Sequence, residues 1–282
     1  DGVMYEILKR EELNFKTTRI EIAAPFVARH AEPGQFIILR VTEDGERIPL
    51  TISDYDRERG TVTVIFQTIG ATTEKLNHVM EGQCLADVAG PLGNATETDG
   101  LKKVAVVGGG VGCAIAYPIA KKLHNLGAEV HLIVGFRDKE NIILEDEYKQ
   151  ACTNLVLMTD DGSYGKKGMT TEGLKELIEA GHQFDEVIAI GPLVMMKFVC
   201  KLTKEYNIKT IVSMNPIMID GTGMCGGCRL TVGGEMKFAC VDGPDFDGHL
   251  VDFDETISRN RIYNDFERHA YEETCNLFKK GV

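Results

Sequence analysis

Short segments of alternating hydrophobic and polar residues fill the first third of the chain. Alternation with a period of two is typical of strands that bury one face, and β-branched residues strengthen that signal. Turn sequences such as Glu32-Pro33-Gly34 and Glu58-Arg59-Gly60 separate the segments. The pattern predicts an antiparallel barrel or sandwich, with strands at residues 3–8, 17–22, 35–41, 61–68 and 84–88.

One predicted helix, at residues 72–80, interrupts these strands. Its start, Gly70-Ala71-Thr72-Thr73, combines hydroxyl groups with the free N–H groups of a helix N-terminus. Such a start favours a phosphate, because the exposed donors and the helix dipole both attract anions. An ordinary helix cap explains the same residues, so the pattern alone leaves both interpretations open.

After residue 101 the pattern changes to apolar strands that alternate with helices. It predicts a parallel α/β sheet, because strands and helices in alternation form βαβ units. A glycine-rich loop at residues 108–112 follows the first strand and would direct N–H groups at a pyrophosphate. Its match to G-x-G-x-x-G is imperfect, since Cys113 occupies the third glycine position counted from Gly108. The predicted strands are residues 102–107, 129–134, 154–158, 187–190 and 210–213, with the first helix at 113–126.

Composition narrows the class of protein. A chain of 282 residues, 43% apolar and 26% charged, suits a globular protein of two domains with a small appendage. The net charge of −12 argues against nucleic acid as a partner, because nucleic-acid binding needs a basic surface. We expect no membrane association and no export signal, since the apolar stretches are strand-sized and interrupted by glycine. The expected location is the cytoplasm.

Near the end of the chain, Asp220, Cys225, Cys228 and Cys240 follow the spacing D-x4-C-x2-C-x11-C in a glycine-rich segment. Plant-type [2Fe–2S] ferredoxins use C-x4-C-x2-C and a distant fourth cysteine, and Asp220 stands where the first thiolate would be. Glycines let the backbone curl around a small inorganic core and bring N–H groups near its sulfides. The spacing predicts a [2Fe–2S] cluster with these four residues as ligands.

Other interpretations of the same residues remain open. Structural zinc with three cysteines and an aspartate would also use Cys-x-x-Cys, and Asp220 before a Gly-Thr-Gly turn can be a turn-capping residue. Disulfides are not expected, because the eight cysteines are scattered and reduced thiols are usual inside cells. The cysteines at positions 84, 113, 152 and 200 are expected to be small buried apolar residues.

The whole chain resembles the ferredoxin-reductase-like flavoproteins. Pro33-Gly34-Gln35-Phe36, the segment 47–52 and the cluster loop carry the resemblance, in that order. It is similar in particular to the electron-transfer subunit of dihydroorotate dehydrogenase, and most of all to the small subunit of NADH-dependent reduced ferredoxin:NADP oxidoreductases, also called sulfide dehydrogenases. The resemblance implies an α/β plus β fold: an antiparallel β-barrel flavin domain (1–98), a parallel α/β nucleotide-binding domain (99–212) and a small C-terminal [2Fe–2S] segment with a helical tail (213–282).

In that family an Arg-Pro-x-Ser/Thr segment lies against the flavin. Here Ile48 stands where an arginine often precedes Pro49, and Arg47 comes one position earlier. The second family motif, G-x-x-[ST]-x-x-L, matches Gly70, Thr73 and Leu76 and makes the helix start a predicted FAD pyrophosphate site. The FAD-binding residues implied by the resemblance are Arg47, Pro49, Leu50, Thr51, Ile52, Ser53, Gln67, Thr68, Gly70, Thr72 and Thr73.

The resemblance also locates the nicotinamide nucleotide, on the glycine loop and on the segment that begins at Gly191. Two carboxylates after the third strand of the α/β domain would repel a 2′-phosphate and accept hydrogen bonds from ribose, which favours NAD(H) over NADP(H). Nearby positive charges, at Arg137, Lys166 and Lys167, favour NADP(H) instead. The predicted NAD-binding residues are Gly108, Gly109, Gly110, Val111, Gly112, Asp160, Asp161, Gly191, Pro192 and Met195.

These cofactors imply an oxidoreductase that needs no catalytic acid or base. FAD would exchange a hydride with NAD(H) and single electrons with the [2Fe–2S] cluster, because flavins convert between the two kinds of transfer. The resemblance implies a large partner subunit with a second FAD and [4Fe–4S] clusters, electron bifurcation, and ferredoxin as an indirect partner. The alternatives are the electron-transfer subunit of NAD-dependent dihydroorotate dehydrogenase, whose family usually has four cysteines, and a non-catalytic nucleotide-binding module with structural zinc.

Overall fold

The computed structural model of the protein describes residues 4–214, 218 and 221–261. The predicted ligand Asp220, Cys275 and the predicted tail after residue 261 lie outside the described residues. Three β-sheets organise the described part: two of seven strands and one of two strands.

The first sheet is antiparallel throughout and forms a nearly closed barrel. Its order is β6-β1-β2-β5-β4-β3-β7, and the strands at its two ends, β6 and β7, are separated by Ala86 alone, so the sheet curls back on itself. Ile7, Ile20, Ile37 and Val64 belong to the core that fills its interior. The elements are β1 (Tyr5–Asn14), β2 (Thr17–Ala23), α1 (Pro25–His30), β3 (Phe36–Arg40), β4 (Arg47–Asp56), β5 (Thr61–Gln67), α2 (Ala71–Asn77), β6 (Cys84–Leu85) and β7 (Asp87–Leu92).

The second sheet has the order β11-β10-β9-β8-β12-β13-β16 and is parallel except for β16, which pairs antiparallel with β13. Its strands are β8 (Lys103–Gly109), β9 (Glu129–Phe136), β10 (Asn154–Thr159), β11 (Lys166–Lys167), β12 (Glu186–Ile190), β13 (Thr210–Ser213) and β16 (Asp245–Asp247). Its helices are α3 (Gly112–Asn125), α4 (Glu145–Gln150), α5 (Thr170–Glu179) and α6 (Leu193–Glu205).

Both faces of this parallel sheet are buried, as parallel sheets require. Val104 and Val106 face a core that includes α3 and α4. Ala105 and Val107 face the core of α5 and α6. This second core also takes in Phe36 of the barrel, so the two seven-stranded sheets share packed side chains.

The C-terminal segment forms the third layer. It contains the hairpin β14 (Arg229–Val232) and β15 (Glu235–Phe238), the short helix α7 (Ala239–Asp242), and a helix α8 over residues 253–261. Lys197 Nζ of α6 lies 2.6 Å from Asp254 Oδ1, which ties α8 to the nucleotide-binding domain. Arg259 donates a hydrogen bond of 2.5 Å to the Arg229 carbonyl, so α8 also holds the hairpin.

Most predicted elements are present, with some differences. The sequence pattern missed β4, because Pro49 lies inside this ten-residue strand and proline argues against a strand. The strand predicted at 84–88 is two strands, and Cys84 in the short edge strand β6 is exposed, whereas Cys113, Cys152 and Cys200 are buried as predicted. The predicted boundary after residue 98 lies in the connection between β7 and β8, and the division at 1–98, 99–212 and 213–282 stays a prediction.

Tyr148 shows where the core carries an unpaired polar group. Its side chain on α4 is 0% exposed and packs with Tyr117, at 6.5 Å between ring centroids. Its hydroxyl is buried and finds no hydrogen-bond partner among the residues that the structure describes. Burial raises the pKa of Tyr148 well above its usual value. A buried hydroxyl without a partner opposes folding, because it loses its hydrogen bonds to water.

We expect Tyr148→Phe to stabilise the protein. Removing the unpaired hydroxyl should increase the free energy of unfolding by about 1 kcal/mol and raise the thermal midpoint by about 2 °C. Tyr148→Ala is the control for packing and should lower the free energy of unfolding by about 3–5 kcal/mol. Thermal unfolding of the three cofactor-loaded proteins measures both effects, and a Phe variant less stable than the wild type would contradict this account.

Candidate redox site

The carboxyl ends of β8 and β12 bring the two predicted NAD segments together. Ile190 pairs with Gly108 in the sheet, so the loops after both strands leave from adjacent positions. A Cβ built on Gly191 would lie 3.0 Å from the Gly109 nitrogen, and one on Gly109 would lie 2.5 Å from Met195 Sδ. Only glycine allows this approach, which forms the kind of edge where α/β sheets bind nucleotides.

Helix α3 begins directly behind this edge. A Cβ on Gly112 would lie 2.5 Å from the Ile190 carbonyl oxygen, and one on Gly108 would lie 2.9 Å from Cys113 Cα. Gly108 and Gly112 therefore supply the close helix–sheet packing that the motif assigns to its third glycine, which explains why Cys113 is tolerated there. Gly110 has a φ of +56° and open space around its Cα, which leaves the loop accessible to a ligand.

Asp160 and Asp161 follow β10, two strands away from β8 at the same edge of the sheet. Both are exposed. Hydrogen bonds from Ser163 lower the pKa of Asp161, with a smaller contribution from Lys167, so this carboxylate stays charged at neutral pH. Lys166, which favoured NADP(H), forms an ion pair with Glu176.

Strand β4 carries six of the predicted FAD residues. Thr51 and Pro49 pair with Phe36 and Ile38 of β3, and directly paired residues lie on the same face of a sheet. Arg47 at the start of the strand is exposed. Thr51 is buried, at 8% exposed. Two predicted residues are less accessible still: Ile52 is 1% exposed in the barrel core, so its side chain is closed to a cofactor.

Ser53 is the second of these less accessible residues. It is 3% exposed, and its hydroxyl donates a hydrogen bond of 3.0 Å to the Ala114 carbonyl in the first turn of α3. The bond joins the strand that carries the flavin motif to the helix that follows the glycine loop. Ser53 thus connects the two domains.

The start of α2 gathers the remaining predicted FAD residues. The Thr72 hydroxyl donates to a Glu46 carboxylate oxygen at 2.5 Å, so an anionic group already lies at this helix start. Thr73 Oγ1 accepts hydrogen bonds from the backbone N–H groups of Gly70 and Ile69, which makes it a local structural residue. Gln67 is the last residue of β5 and pairs with Thr17 of β2. Thr68 follows it, and its backbone N–H donates to the Lys16 carbonyl.

The cysteine loop brings thiols close to one another. Cys228 Sγ and Cys240 Sγ are 3.3 Å apart and buried, and Cys225 is exposed with its Sγ accepting a hydrogen bond from Gly227 N at 3.4 Å. Tetrahedral metal–sulfur bonds of about 2.3 Å place two sulfurs about 3.8 Å apart. Gly221, Gly223 and Gly226 have φ values of +73°, +81° and +65°, as a loop curled around a core needs.

These thiols suit a bound cation. Burial, and then Cys228, raise the pKa of Cys240 to about 11, so a cation beside this sulfur would be needed to hold it as a thiolate at neutral pH. Thiolates are the ligands of iron–sulfur clusters, and the donor set fits such a group. By contrast, burial raises the pKa values of Cys113 and Cys200 to about 12, which makes these isolated thiols inert.

The cysteine loop packs on the outer face of β3. Gly221 comes so close to Ile38 that a Cβ there would overlap its side chain, and Phe36 lies near the same position. Cys228 and Cys240 share a core with both residues. The loop therefore covers the outer face of β3, and β4 is the neighbouring strand in the sheet. In the sequence, only the family motif pointed to Phe36. The outward-facing positions of β3 were the signal that could have located this contact.

Comparison with known proteins identifies the family. Residues 215–252 match the iron-sulfur cluster binding domain of dihydroorotate dehydrogenase B. The chain is 44% identical over 267 residues to a dihydroorotate dehydrogenase B (NAD(+)) electron transfer subunit homolog of Thermotoga maritima, aligning 95% of this chain and 94% of the relative. The chain belongs to the family of dihydroorotate dehydrogenase B electron transfer subunits and their homologues. It is also 51% identical over 275 residues to an uncharacterized protein in the adh 3′ region of Clostridium beijerinckii, at 95% and 93% coverage.

Solved structures agree with this family. The chain matches one chain of the NADH-dependent reduced ferredoxin-NADP oxidoreductase, a structure described for flavin-based electron bifurcation, with 42% identity, a TM-score of 0.90 and coverage of 97% and 98%. Phthalate dioxygenase reductase shares the fold, at 16% identity, a TM-score of 0.64 and coverage of 82% and 86%.

These matches confirm the predicted fold class and the predicted family. At the level of the family they also confirm an electron-transferring flavin and iron–sulfur oxidoreductase subunit with FAD, [2Fe–2S] and NAD(H) as cofactors. The relatives are named as subunits, in keeping with a heteromeric complex. Within the described residues, no helix combines the length and the apolar content needed to cross a membrane.

One partly buried acid, at the carboxyl edge of the second sheet, was not predicted. Asp245 begins β16 opposite Ser213, and its Oδ2 accepts a hydrogen bond of 2.7 Å from Thr96. Its Oδ1 is buried and meets no donor at bonding distance among the described residues. Burial raises the pKa of Asp245 to about 6, and the charge of Glu186 acts in the same direction.

We expect Asp245 to make stability depend on pH. Because its folded-state pKa lies above the ordinary value, the native protein binds more protons than the unfolded chain between about pH 4 and pH 6, and stability falls as pH rises through this range. Asp245→Asn should remove a change on the order of 2 kcal/mol. Thermal midpoints measured between about pH 4 and pH 7 cover this range, and the control is Asp99→Asn at an exposed acid. Equal pH profiles for wild type and Asp245→Asn would contradict the assignment.

Proposed function

We propose that this chain is the electron-transfer subunit of a heteromeric, electron-bifurcating flavoenzyme and connects NAD(H) with a larger partner subunit. FAD supplies the conversion between hydride and single-electron chemistry when bound. The observation that carries the proposal is the position of the Cys228–Cys240 pair on β3, next to the strand with the flavin motif. The 42% identity and TM-score of 0.90 to the bifurcating enzyme's chain support it.

The flavin site in this proposal uses the outward face of β4 and the start of α2. Pro49 and Thr51 would hold the isoalloxazine ring, and the first turn of α2 would bind the pyrophosphate in place of the Glu46 carboxylate. Arg47 lies on the exposed side of the same strand and would neutralise phosphate charge. Leu50, Ile52, Gln67 and Thr68 then act through the backbone or by shaping the site.

The nucleotide site uses the glycine edge of the second sheet. Residues 108–112 and 191–195 would hold the pyrophosphate and the nicotinamide, and the charges of Asp160 and Asp161 would select NAD(H). The Ser53–Ala114 hydrogen bond keeps this edge in register with the flavin strand, which fixes the orientation that hydride transfer needs.

The cluster would be held by Asp220, Cys225, Cys228 and Cys240. The separation of 3.3 Å between Cys228 Sγ and Cys240 Sγ supports their binding one iron, which leaves Cys225 and Asp220 for the other. Since Cys225 is exposed and Met224 is 87% exposed, the second iron would face the partner.

That partner would be a large flavoprotein subunit with its own FAD and [4Fe–4S] clusters, and ferredoxin would take part through it. A cytoplasmic complex fits ligands that must remain reduced thiols. Dihydroorotate dehydrogenase is the second candidate, since curated relatives carry that name. Assays of the purified complex separate the two candidates. The electron-bifurcating enzyme should transfer electrons to NADP with ferredoxin, and dihydroorotate dehydrogenase should take electrons from dihydroorotate.

We expect Cys228→Ser to separate the two kinds of electron transfer. The variant should lose most iron and sulfide and fail to transfer electrons to the large subunit in the purified complex. Its reduction of ferricyanide by NADH should stay within about twofold of the wild type, because that reaction needs positioning at the nicotinamide and flavin sites only. Metal analysis and both activity assays measure this.

Cys84→Ser is the matched control, since Cys84 is an exposed thiol on the barrel and should be silent. A Cys228→Ser protein with a full complement of iron would overturn the cluster assignment. Asp220→Cys should shift the EPR spectrum and the midpoint potential, and an unchanged spectrum and potential would remove Asp220 from the ligand set.

The double change Asp160→Ser and Asp161→Ser should relax the preference for NADH. Removing two exposed negative charges should raise kcat/KM for NADPH relative to NADH by roughly five- to tenfold, since exposed charges each contribute about 0.5–0.7 kcal/mol. Steady-state ferricyanide reduction with each nucleotide measures the ratio. Exposed Glu179→Gln on α5 serves as a control for lost charge, and an unchanged ratio in the double variant would refute the selection by these carboxylates.

A further inference from the structure

Glu129, His131 and His182 form a cluster at the edge of the second sheet opposite the glycine loops. Glu129 and His131 lie near the start of β9, and His182 lies between α5 and β12. One possible ligand atom from each residue lies within 4.8 Å of the other two. The redox site uses the carboxyl ends of the strands, so this cluster has no part in it.

The two closest members are already held in place. His131 is 4% exposed, and its Nε2 lies 2.8 Å from Glu129 Oε1. His131 and His182 have ring centroids 4.5 Å apart. Since residues i and i+2 of a strand share a face, Glu129 and His131 point the same way from β9.

A neighbouring amide orients the buried ring. Asn154 pairs with His131 in the adjacent strand, and its Nδ2 lies 3.1 Å from His131 Nδ1. Turning this amide by 180° would place its oxygen there to accept a hydrogen bond from Nδ1–H. A metal ion would then replace the proton that Nε2 shares with Glu129, and the amide would hold Nδ1–H, which is the arrangement that holds metal-binding histidines in place.

We infer that Glu129, His131 and His182 bind a divalent transition-metal ion of the zinc type, with water as a fourth ligand. Two imidazoles and a carboxylate are ligands that zinc commonly takes in proteins. Metal–ligand bonds of about 2.1 Å place tetrahedral ligands about 3.4 Å apart. Pairs within 4.8 Å must then close by at most about 1.4 Å, and the Glu129–His131 pair at 2.8 Å must open by about 0.6 Å. Glu129 is exposed and His182 is in a connection, and both can make that movement.

Binding of the metal must compete with Lys103. Its Nζ lies 3.4 Å from Glu129 Oε1, so the ion replaces an ammonium group as the partner of this carboxylate. Glu129 keeps a positively charged partner in this exchange, because a metal cation replaces the ammonium cation. The bound metal would join the connection after α5 to β9 and stabilise the sheet edge that lies farthest from the nucleotide.

Equilibrium dialysis of the holoprotein against Zn²⁺ at about pH 8, where imidazole is largely neutral, tests the inference. Elemental analysis then gives zinc and iron for each chain. We expect His182→Gln and Glu129→Gln each to bind zinc at least about tenfold more weakly than the wild type at this site, with iron unchanged. Asn154→Ala should weaken binding as well, because it releases the His131 ring.

His30→Gln is the matched control. His30 is exposed on the barrel and hydrogen-bonds the Phe26 carbonyl, so it should bind as much zinc as the wild type. Zinc should also raise the thermal midpoint of the wild type and of His30→Gln, but not that of His182→Gln. Equal zinc isotherms for wild type, His182→Gln and Glu129→Gln would overturn the inference and leave the cluster as an aromatic contact with Phe184.

Discussion

Packing of the cysteine loop against β3 is the contact on which the rest of the site depends. Phe36 and Ile38 point out of the barrel into the core that contains Cys228 and Cys240. The same two residues pair with Thr51 and Pro49 on β4. Neighbouring strands lie about 4.8 Å apart, so the cysteine loop on β3 lies about one strand spacing to the side of β4. A single strand thus contacts both the cysteine loop and the strand with the predicted flavin motif, which are far apart in the sequence.

The second constraint is the join between the barrel and the nucleotide-binding domain. The Ser53–Ala114 hydrogen bond and the shared packing of Ile65 with the α3 face of the sheet fix one domain on the other. Glycines at 109, 112 and 191 then allow loops of the second sheet to touch. Larger residues at these positions would push apart the ends of β8 and β12, which carry the predicted NAD segments.

Much of this arrangement could be predicted from the sequence, because local patterns carried it. The βαβ alternation, the glycine loop and the cysteine spacing each lie within one short segment, and each led to the right fold or family. Strand β4 escaped because Pro49 lies inside it, and a proline argues against a strand although the residues around it alternate. Cys84 was misassigned because a two-residue edge strand has no pattern of its own.

Contacts between distant segments left no sequence signal. His131 and His182 are about fifty residues apart and meet only because β9 and the α5–β12 connection end at one edge. Asp245 is an ordinary acid in the sequence, and only its burial beside Thr96 gives it an unusual pKa. Exposure and long-range proximity arise from the tertiary fold, so no single-segment pattern contains them.

Strand β16 returns the chain to the sheet that β13 left, so residues 214–244 form an excursion whose two ends are hydrogen-bonded to each other. Closing a loop of this length has an entropic cost that grows slowly with its size, and the hydrogen bonds between β13 and β16 offset that cost. Cys228 and Cys240 lie within this excursion and share a core with Val212 of β13 and Phe246 of β16, so the strand pair anchors the cysteine loop to the second sheet. A substitution that weakened this pairing would therefore loosen both ends of the cysteine loop at once.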